Sequence, residues 1–173
     1  LDDARRACAA SSLPAPEPPD ASQDLAYAIA TSGTTGEPKV VLIEHAALAH
    51  YVDAAITEFD LQTTDRVLQF ASFAFDTAAE EIWPTLCAGA TLVLRRDEQA
   101  ASSAAFLRAS AEQRTTVWDL PTAFFQSVFA AHAPTANRVI PKELRLCILG
   151  GQAAERGSVR NFCKAAPHVR LLN

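Results

Sequence analysis

The segment Leu25-Ala26-Tyr27-Ala28-Ile29-Ala30-Thr31-Ser32-Gly33-Thr34-Thr35-Gly36-Glu37-Pro38-Lys39-Val40-Val41 decides how the chain is read. Residues 25–30 are an apolar run that suits a buried strand. Residues 40–43 are a second short, β-branched strand. Between them lie Thr31, Ser32, Gly33, Thr34, Thr35 and Gly36, closed by Lys39. Glycines let backbone N–H groups approach a ligand closely, hydroxyls donate hydrogen bonds, and lysine supplies positive charge. Those are the requirements of a phosphate site. A plain flexible hairpin between two strands explains the same composition, and residue chemistry leaves both readings open. The common P-loop is excluded. It needs four residues between its glycines and Lys-Ser/Thr directly after the second, and neither holds here.

Downstream, hydrophobic periods alternate. Leu48, Val52, Ile56 and Phe59 recur on one helical face from Ala46 onward. Strands are expected at 67–70, 91–94, 115–118, 144–149 and 169–172. Asp76 is placed to cap a helix that ends at Gly89. An Ala-rich helix is expected over 101–112. Pro121 opens another, in which Phe125 and Phe129 stack at i, i+4. A last helix lies near 157–166. This order predicts an α/β fold with a mainly parallel sheet flanked by helices. Ligands in such folds gather at the carboxyl ends of strands. The loops at 31–39, 76–80, 119 and 150–152 all follow expected strands.

Residues 1–24 carry Pro14, Pro16, Pro18 and Pro19 among Ala, Ser and Asp, the composition of an exposed linker. The whole chain has 173 residues, 49% hydrophobic and 20% charged, with a net charge of −5. Neither a basic nucleic-acid footprint nor an apolar run of membrane-spanning length is present. No secretory signal opens the sequence. The 4 cysteines are widely spaced and outside any CxxC, which favours free thiols in a reducing, cytoplasmic compartment over a disulfide framework or zinc site. The chain starts at Leu1 and contains no Met, which is read as the mark of a fragment.

The segment LAYAIATSGTTGEPKVV closely resembles the phosphate loop of adenylate-forming enzymes, above all the adenylation domains of nonribosomal peptide synthetases. FAFDTAAEEIWPTLCAGATLVL, VWDLPTAFF and LRLCILGGQAA resemble the next core segments of that family, in the same order. On this resemblance residues 25–173 are part of the large N-terminal subdomain, truncated at both ends. The implied activity joins an amino acid to ATP·Mg²⁺, giving an aminoacyl-adenylate and pyrophosphate. The acyl group then passes to the phosphopantetheine thiol of a carrier-protein domain.

By similarity, Thr31, Ser32, Gly33, Thr34, Thr35, Gly36 and Lys39 would cover the β,γ-phosphates. Gly151, Gln152 and Asn173 would meet the adenine. The metal-binding acid is expected just beyond Asn173, and the family's catalytic lysine lies outside this chain, so the fragment alone is expected to be inactive.

The matched substrate-pocket positions are Asp76, Thr77, Glu80, Asp119, Ile148 and Gly150. Asp76 matches the residue that holds the substrate's α-ammonium group. Read without the resemblance, Asp76 is a helix cap. Glu80 would then complement a helix dipole and Asp119 would cap the helix at Pro121. If Glu80 and Asp119 line the pocket, a cationic side chain would neutralise them, which favours lysine, β-lysine or ornithine. Two alternatives stand beside this reading: an acyl- or aryl-acid ligase of the same superfamily, and a non-catalytic nucleotide-binding remnant. One departure bears on the second. Val40 stands where the family has glycine, and a β-branched residue adopts positive φ only at a cost.

Overall fold

The computed structural model describes residues 24–31, 39–130 and 140–173. The proline-rich stretch 1–23 and loop residues Ser32, Gly33, Thr34, Thr35 and Gly36 lie outside the described residues. Strands β1 (Leu25–Thr31) and β2 (Lys39–Glu44) form an antiparallel pair of their own. It is a separate two-stranded sheet with Leu25, Val40, Val41 and Leu42 exposed. The expectation of a buried strand at 25–30 therefore needs correcting. The apolar run is a strand, but a two-stranded ribbon backed by one helix can bury only part of its side chains.

The ribbon leads directly into α1 (His45–Phe59). A second sheet follows, built of β3 (Arg66–Gln69), β4 (Thr91–Leu94), β5 (Val117–Pro121), β6 (Leu146–Gly150) and β7 (Arg170–Leu172). Every adjacent pair in it is parallel, and the strand order is β4-β3-β5-β6-β7. The crossovers carry α2 (Thr77–Cys87), α3 (Asp97–Ala100), α4 (Ser103–Glu112), α5 (Thr122–Phe129) and α6 (Arg156–Ala165). The Ala-rich helix expected over 101–112 is α4, and the short α3 precedes it. Ser102 stands between them in extended geometry, and its hydroxyl accepts from the Ala105 N–H at 3.1 Å, a cap that starts α4 afresh.

Strand alternation sorts the core into two layers. On one face Leu68, Trp118 and Leu120 pack with Phe106, Phe125 and Phe162 from the helices. Phe125 and Phe129 meet at 4.9 Å between centroids, as their spacing predicts. On the other face Val67, Val117 and Leu146 pack with Ile56 and Phe59 of α1 and with Ala88 beyond α2. Asp119 follows Val117 by two residues, so it belongs to this second face, towards α1 and α2.

The sheet order reverses between β3 and β5. The chain leaves β3 for β4 on one side, then returns past β3 to place β5 on the other. The crossover helices diverge there and leave a crevice at the carboxyl ends of those two strands. Gly89, at φ +71°, ends α2 as expected. Val40 sits in regular pairing opposite Ala30 and is not among the described positive-φ residues, so valine meets no backbone penalty at this position.

Candidate active site

A cavity of about 480 Å³ opens at the reversal point, a size suited to a small organic ligand. Phe70, Ala71 and Ser72 approach it from the end of β3, and Asp119 and Leu120 from the end of β5. Gly150 and Gly151 close it after β6, Thr77 and Phe75 after the β3 loop, and Arg95 after β4. Of the residues singled out in the sequence, Thr77, Asp119, Gly150 and Gly151 are therefore brought together on one wall system. Asp76, Glu80, Ile148, Gln152 and Asn173 do not line the cavity itself.

Asp119 is the most unusual group in it. It is 4% exposed, and its Oδ2 has no hydrogen-bond partner. Burial, then the nearby charges of Glu80 and Glu81, push its carboxyl up to about 8. Pro121 rather than Asp119 occupies the cap position of α5, so the capping alternative for Asp119 does not describe the fold. Across the cavity the Arg95 guanidinium lies 5.0 Å from the centre of the Phe70 ring, held there by the ring face.

Glu80 sits half-buried in the first turn of α2. Burial first, and then the neighbouring Glu80 carboxylate, raises the Tyr51 phenol of α1 well above its ordinary value. Tyr27 of β1 is also raised, by burial and then by the Asp76 charge. Asp76 is exposed, and its Oδ1 accepts from the Thr77 N–H at 2.9 Å. It thus makes the capping contact on one oxygen. Among the described residues, Asp76, Glu80 and Asp119 take part in no ion pair.

Around the positions matched by resemblance to a nucleotide site the geometry is local and specific. Thr31 Oγ1 donates to the Lys39 carbonyl at 3.2 Å and closes the base of the Gly/Thr loop. Gly151 has φ +92°, a conformation that side chains other than glycine adopt at a cost. Asn173 holds the neighbouring loop: its Oδ1 accepts from the Ala154 N–H at 3.1 Å, and its Nδ2 donates to the Gln152 carbonyl at 3.3 Å. Ile148 is half-buried with the second-face core.

Sequence reasoning missed two residues that shape the site. Glu81 is buried, and its Oε1 accepts from the Phe70 and Ala71 N–H groups at 2.9 and 3.0 Å, while its Oε2 accepts from Gln69 Nε2 at 3.0 Å. It fastens α2 to the end of β3. Thr122 is also buried, and its hydroxyl reaches the Gly150 and Gln152 carbonyls at 2.9 and 3.0 Å, fastening the loop after β6. Glu81 follows Glu80 directly, and nothing in the local sequence tells which of the two turns inward.

Fold and site together define an α/β ligand-binding protein whose cleft lies at the reversal point of a parallel sheet. Residues 2–173 match the model of the AMP-binding enzyme family, and the chain belongs to that family. It is 47% identical to an isonitrile lipopeptide synthase of Streptomyces coeruleorubidus over 152 residues, which is 87% of this chain and 10% of that protein. It is 40% identical over 172 residues to a linear gramicidin synthase from Brevibacillus parabrevis, 96% of this chain and 3% of that protein. A solved Vibrio cholerae adenylation domain, AlmE in complex with glycyl-adenosine-5'-phosphate, superposes with a TM-score of 0.72 at 26% identity, over 84% of this chain and 27% of that one. The chain thus spans a small part of the synthases it matches and about a quarter of the solved domain.

Proposed function

We propose that the chain supplies the substrate cleft and part of the ATP site of an enzyme that activates a cationic amino acid as its adenylate for nonribosomal peptide synthesis. The observation that carries the reading is Asp119, a buried carboxyl with an unpartnered oxygen facing a ligand-sized cavity. A protonated amine entering there would supply the missing partner and convert Asp119 to its charged form. Glu80, one layer away, adds a second acid. Lysine, β-lysine and ornithine carry such an amine. Arg95 lies in the same cavity but is stacked on Phe70, which leaves Asp119 open to a ligand.

In this reading the substrate carboxylate attacks the α-phosphorus of ATP, the α–β phosphoanhydride bond breaks, and pyrophosphate leaves. The step needs orientation and neutralised phosphate charge rather than a protein nucleophile. Asp76 orients the α-ammonium group through the carboxylate oxygen not spent on Thr77. Thr31, Ser32, Gly33, Thr34, Thr35, Gly36 and Lys39 hold the β,γ-phosphates. Gly151, Gln152 and Asn173 border the adenine, with Asn173 acting through the loop it secures. Thr77 and Gly150 stand in the pocket wall, and Ile148 backs it from the second-face core.

Among the described residues no group of three or more His, Cys, Asp or Glu could hold a metal ion. The product acyl group would pass to a carrier-protein thiol. Residues 1–24 remain, in this proposal, a Pro/Ala-rich linker, although the family match begins at residue 2. Among the described residues no helix is long and apolar enough to cross a membrane.

The deciding experiment is amino-acid-dependent ATP–pyrophosphate exchange by the full-length protein across the standard amino acids with β-lysine and ornithine added. Exchange driven by a lysine-type amino acid, and lost in Asp76→Ala, is the expected result. Exchange driven only by neutral amino acids would overturn the cationic reading. Nucleotide binding with no exchange for any acid would instead make the protein a binding remnant.

A further inference from the structure

We propose that Arg95 is a substrate-positioning residue of the cleft, its guanidinium receiving the carboxylate of the amino acid whose distal ammonium group meets Asp119. The inference rests on the substrate reading above. It adds a residue that lies just past the segment ending at Leu94.

The placement follows from the sheet. β3 lies between β4 and β5, so both strands flank its carboxyl end. Gln69 of β3 pairs with Leu94 of β4, and the Arg95 N–H continues that ladder by donating to the Gln69 carbonyl at 3.2 Å. On the other side Leu68 pairs with Trp118, the residue before Asp119. Arg95 and Asp119 thus leave the sheet at nearly the same level, two strand spacings apart, roughly 10 Å. They leave it from opposite faces. Val93 packs in the first core layer with Leu68 and Phe70, so Arg95, two residues on, belongs to that face, where its guanidinium lies over the Phe70 ring. Asp119 shares the other face with Val117. Both residues line the same cavity, which spans the end of β3.

Among the described residues the Arg95 side chain makes no ion pair and no hydrogen bond. The Phe70 ring occupies the flat face of the guanidinium and leaves the N–H donors around its edge for a ligand. That planar fork fits a carboxylate through two parallel bonds. Asp119, in the same cavity, is not paired with Arg95, and its Oδ2 has no partner. The cavity therefore offers a ligand one cationic and one acidic contact instead of closing on an internal ion pair. A molecule with a carboxylate at one end and an ammonium group at the other answers both. A lysine-type amino acid laid across the end of β3 puts its carboxylate on Arg95 and its distal ammonium group on Asp119. On this path its α-ammonium group passes Phe75 and Thr77, which flank Asp76 and line the same cavity. A carboxylate fixed in one orientation is what in-line attack on the α-phosphorus requires.

The test is equilibrium binding to the full-length protein, without ATP, of lysine and of 1,5-diaminopentane, which is lysine without its carboxylate. The same pair of measurements is made with any other amino acid that drives pyrophosphate exchange and with the amine lacking its carboxylate. Arg95→Gln removes the charge, and Arg95→Lys keeps the charge but removes the fork. Arg95→Gln should raise the Kd for lysine roughly tenfold, the loss of one charge-assisted contact, and leave the Kd for the diamine within about twofold. Arg95→Lys should recover part of the loss. The KM for ATP in the exchange assay should stay within about twofold in both variants.

Lysine binding unchanged in Arg95→Gln overturns the proposal. So does an equal weakening of lysine and the diamine, which marks a packing role. A raised KM for ATP with unchanged amino-acid binding also overturns it, because the anion received is then a phosphate. If only a neutral amino acid drives exchange, the cationic reading falls by itself. A selective loss of that amino acid over its amine in Arg95→Gln then still upholds Arg95 as the carboxylate receptor, and an unchanged affinity for it overturns this inference as well.

Discussion

Asp119 shows how much one residue's chemistry depends on where the backbone puts it. In an exposed loop it would be an ordinary carboxylate. At the end of β5 it is buried beside two other acids, and its carboxyl is pushed up to about 8 against an ordinary 3.8. The native state therefore holds a proton that the unfolded chain releases between those values. Stability falls as pH rises through that window, and Glu81, pushed up to about 7 mainly by burial, adds a contribution of the same sign. Asp119→Asn removes one of the two. Urea unfolding of the variant should show a flatter dependence between pH 5 and pH 8, with a gain over wild type at pH 8 on the order of 1 kcal/mol or more. An identical pH slope in both proteins would show that Asp119 is ionised in the fold. Val40 carries the opposite lesson. Its substitution for a family glycine looks costly in sequence, yet the chain there is a paired strand in which valine is favoured.

At the scale of the element, α2 is the piece that assembles the cleft. Its first turn brings Thr77 and Glu80, and its second brings Glu81 back to the end of β3. Pro84, buried inside the helix, cannot donate to the Glu80 carbonyl, so α2 lacks one of its own hydrogen bonds. Glu81 supplies the missing attachment through the Phe70, Ala71 and Gln69 donors. Glu81→Ala should cost about 1–3 kcal/mol, because it strands those donors in a buried place, whereas Glu81→Gln keeps an acceptor and should cost less. Denaturant midpoints at pH 5, where the charge contribution is smallest, would measure both. Equal losses would show that the acceptor oxygen kept by Gln does not carry the stabilisation. The sequence pattern found this helix, its start at Asp76 and its end at Gly89. It did not distinguish Glu80 from Glu81, since both are polar neighbours and only the approach of β3 decides which one is enclosed.

On the scale of the whole molecule, the two ends of the sheet do different work. The carboxyl ends open into the cleft. The amino ends are tied by Asp65, whose Oδ1 accepts from Arg145 Nε at 2.8 Å and from Thr116 Oγ1 at 2.7 Å. Arg145 also donates to the Phe59 and Asp60 carbonyls at 3.1 and 2.8 Å, so one side chain links β6 to the end of α1. Burial alone would raise Asp65, but the bonds from Arg145, the Gln62 N–H and Thr116 outweigh it and hold the carboxyl below its ordinary value. Its contribution is present above the ordinary carboxylate range and is lost as pH falls through the lower folded value. Arg145→Met should destabilise the protein by about 3 kcal/mol, the low end for a broken buried pair because the arginine is partly exposed. It should leave the cleft chemistry intact, so amino-acid preference is expected to be unchanged while the thermal midpoint falls. A shifted substrate ranking would show that the two ends of the sheet are coupled.

The order of strands and helices, the glycine that ends α2, the Phe125–Phe129 stack and the loops that carry the candidate site are all written in local pattern and composition. These features depend on periods of two and 3.6 residues and on backbone chemistry within a few positions, so the chain states them without reference to distant parts. The partial exposure of β1 and β2, the inward turn of Glu81 and the enclosure of Asp119 arise otherwise. Each depends on which strand lies beside which, and above all on the reversal that places β5 next to β3 rather than β4. That choice joins residues roughly 50 positions apart, a separation over which local propensity has no reach and packing of the two core faces decides.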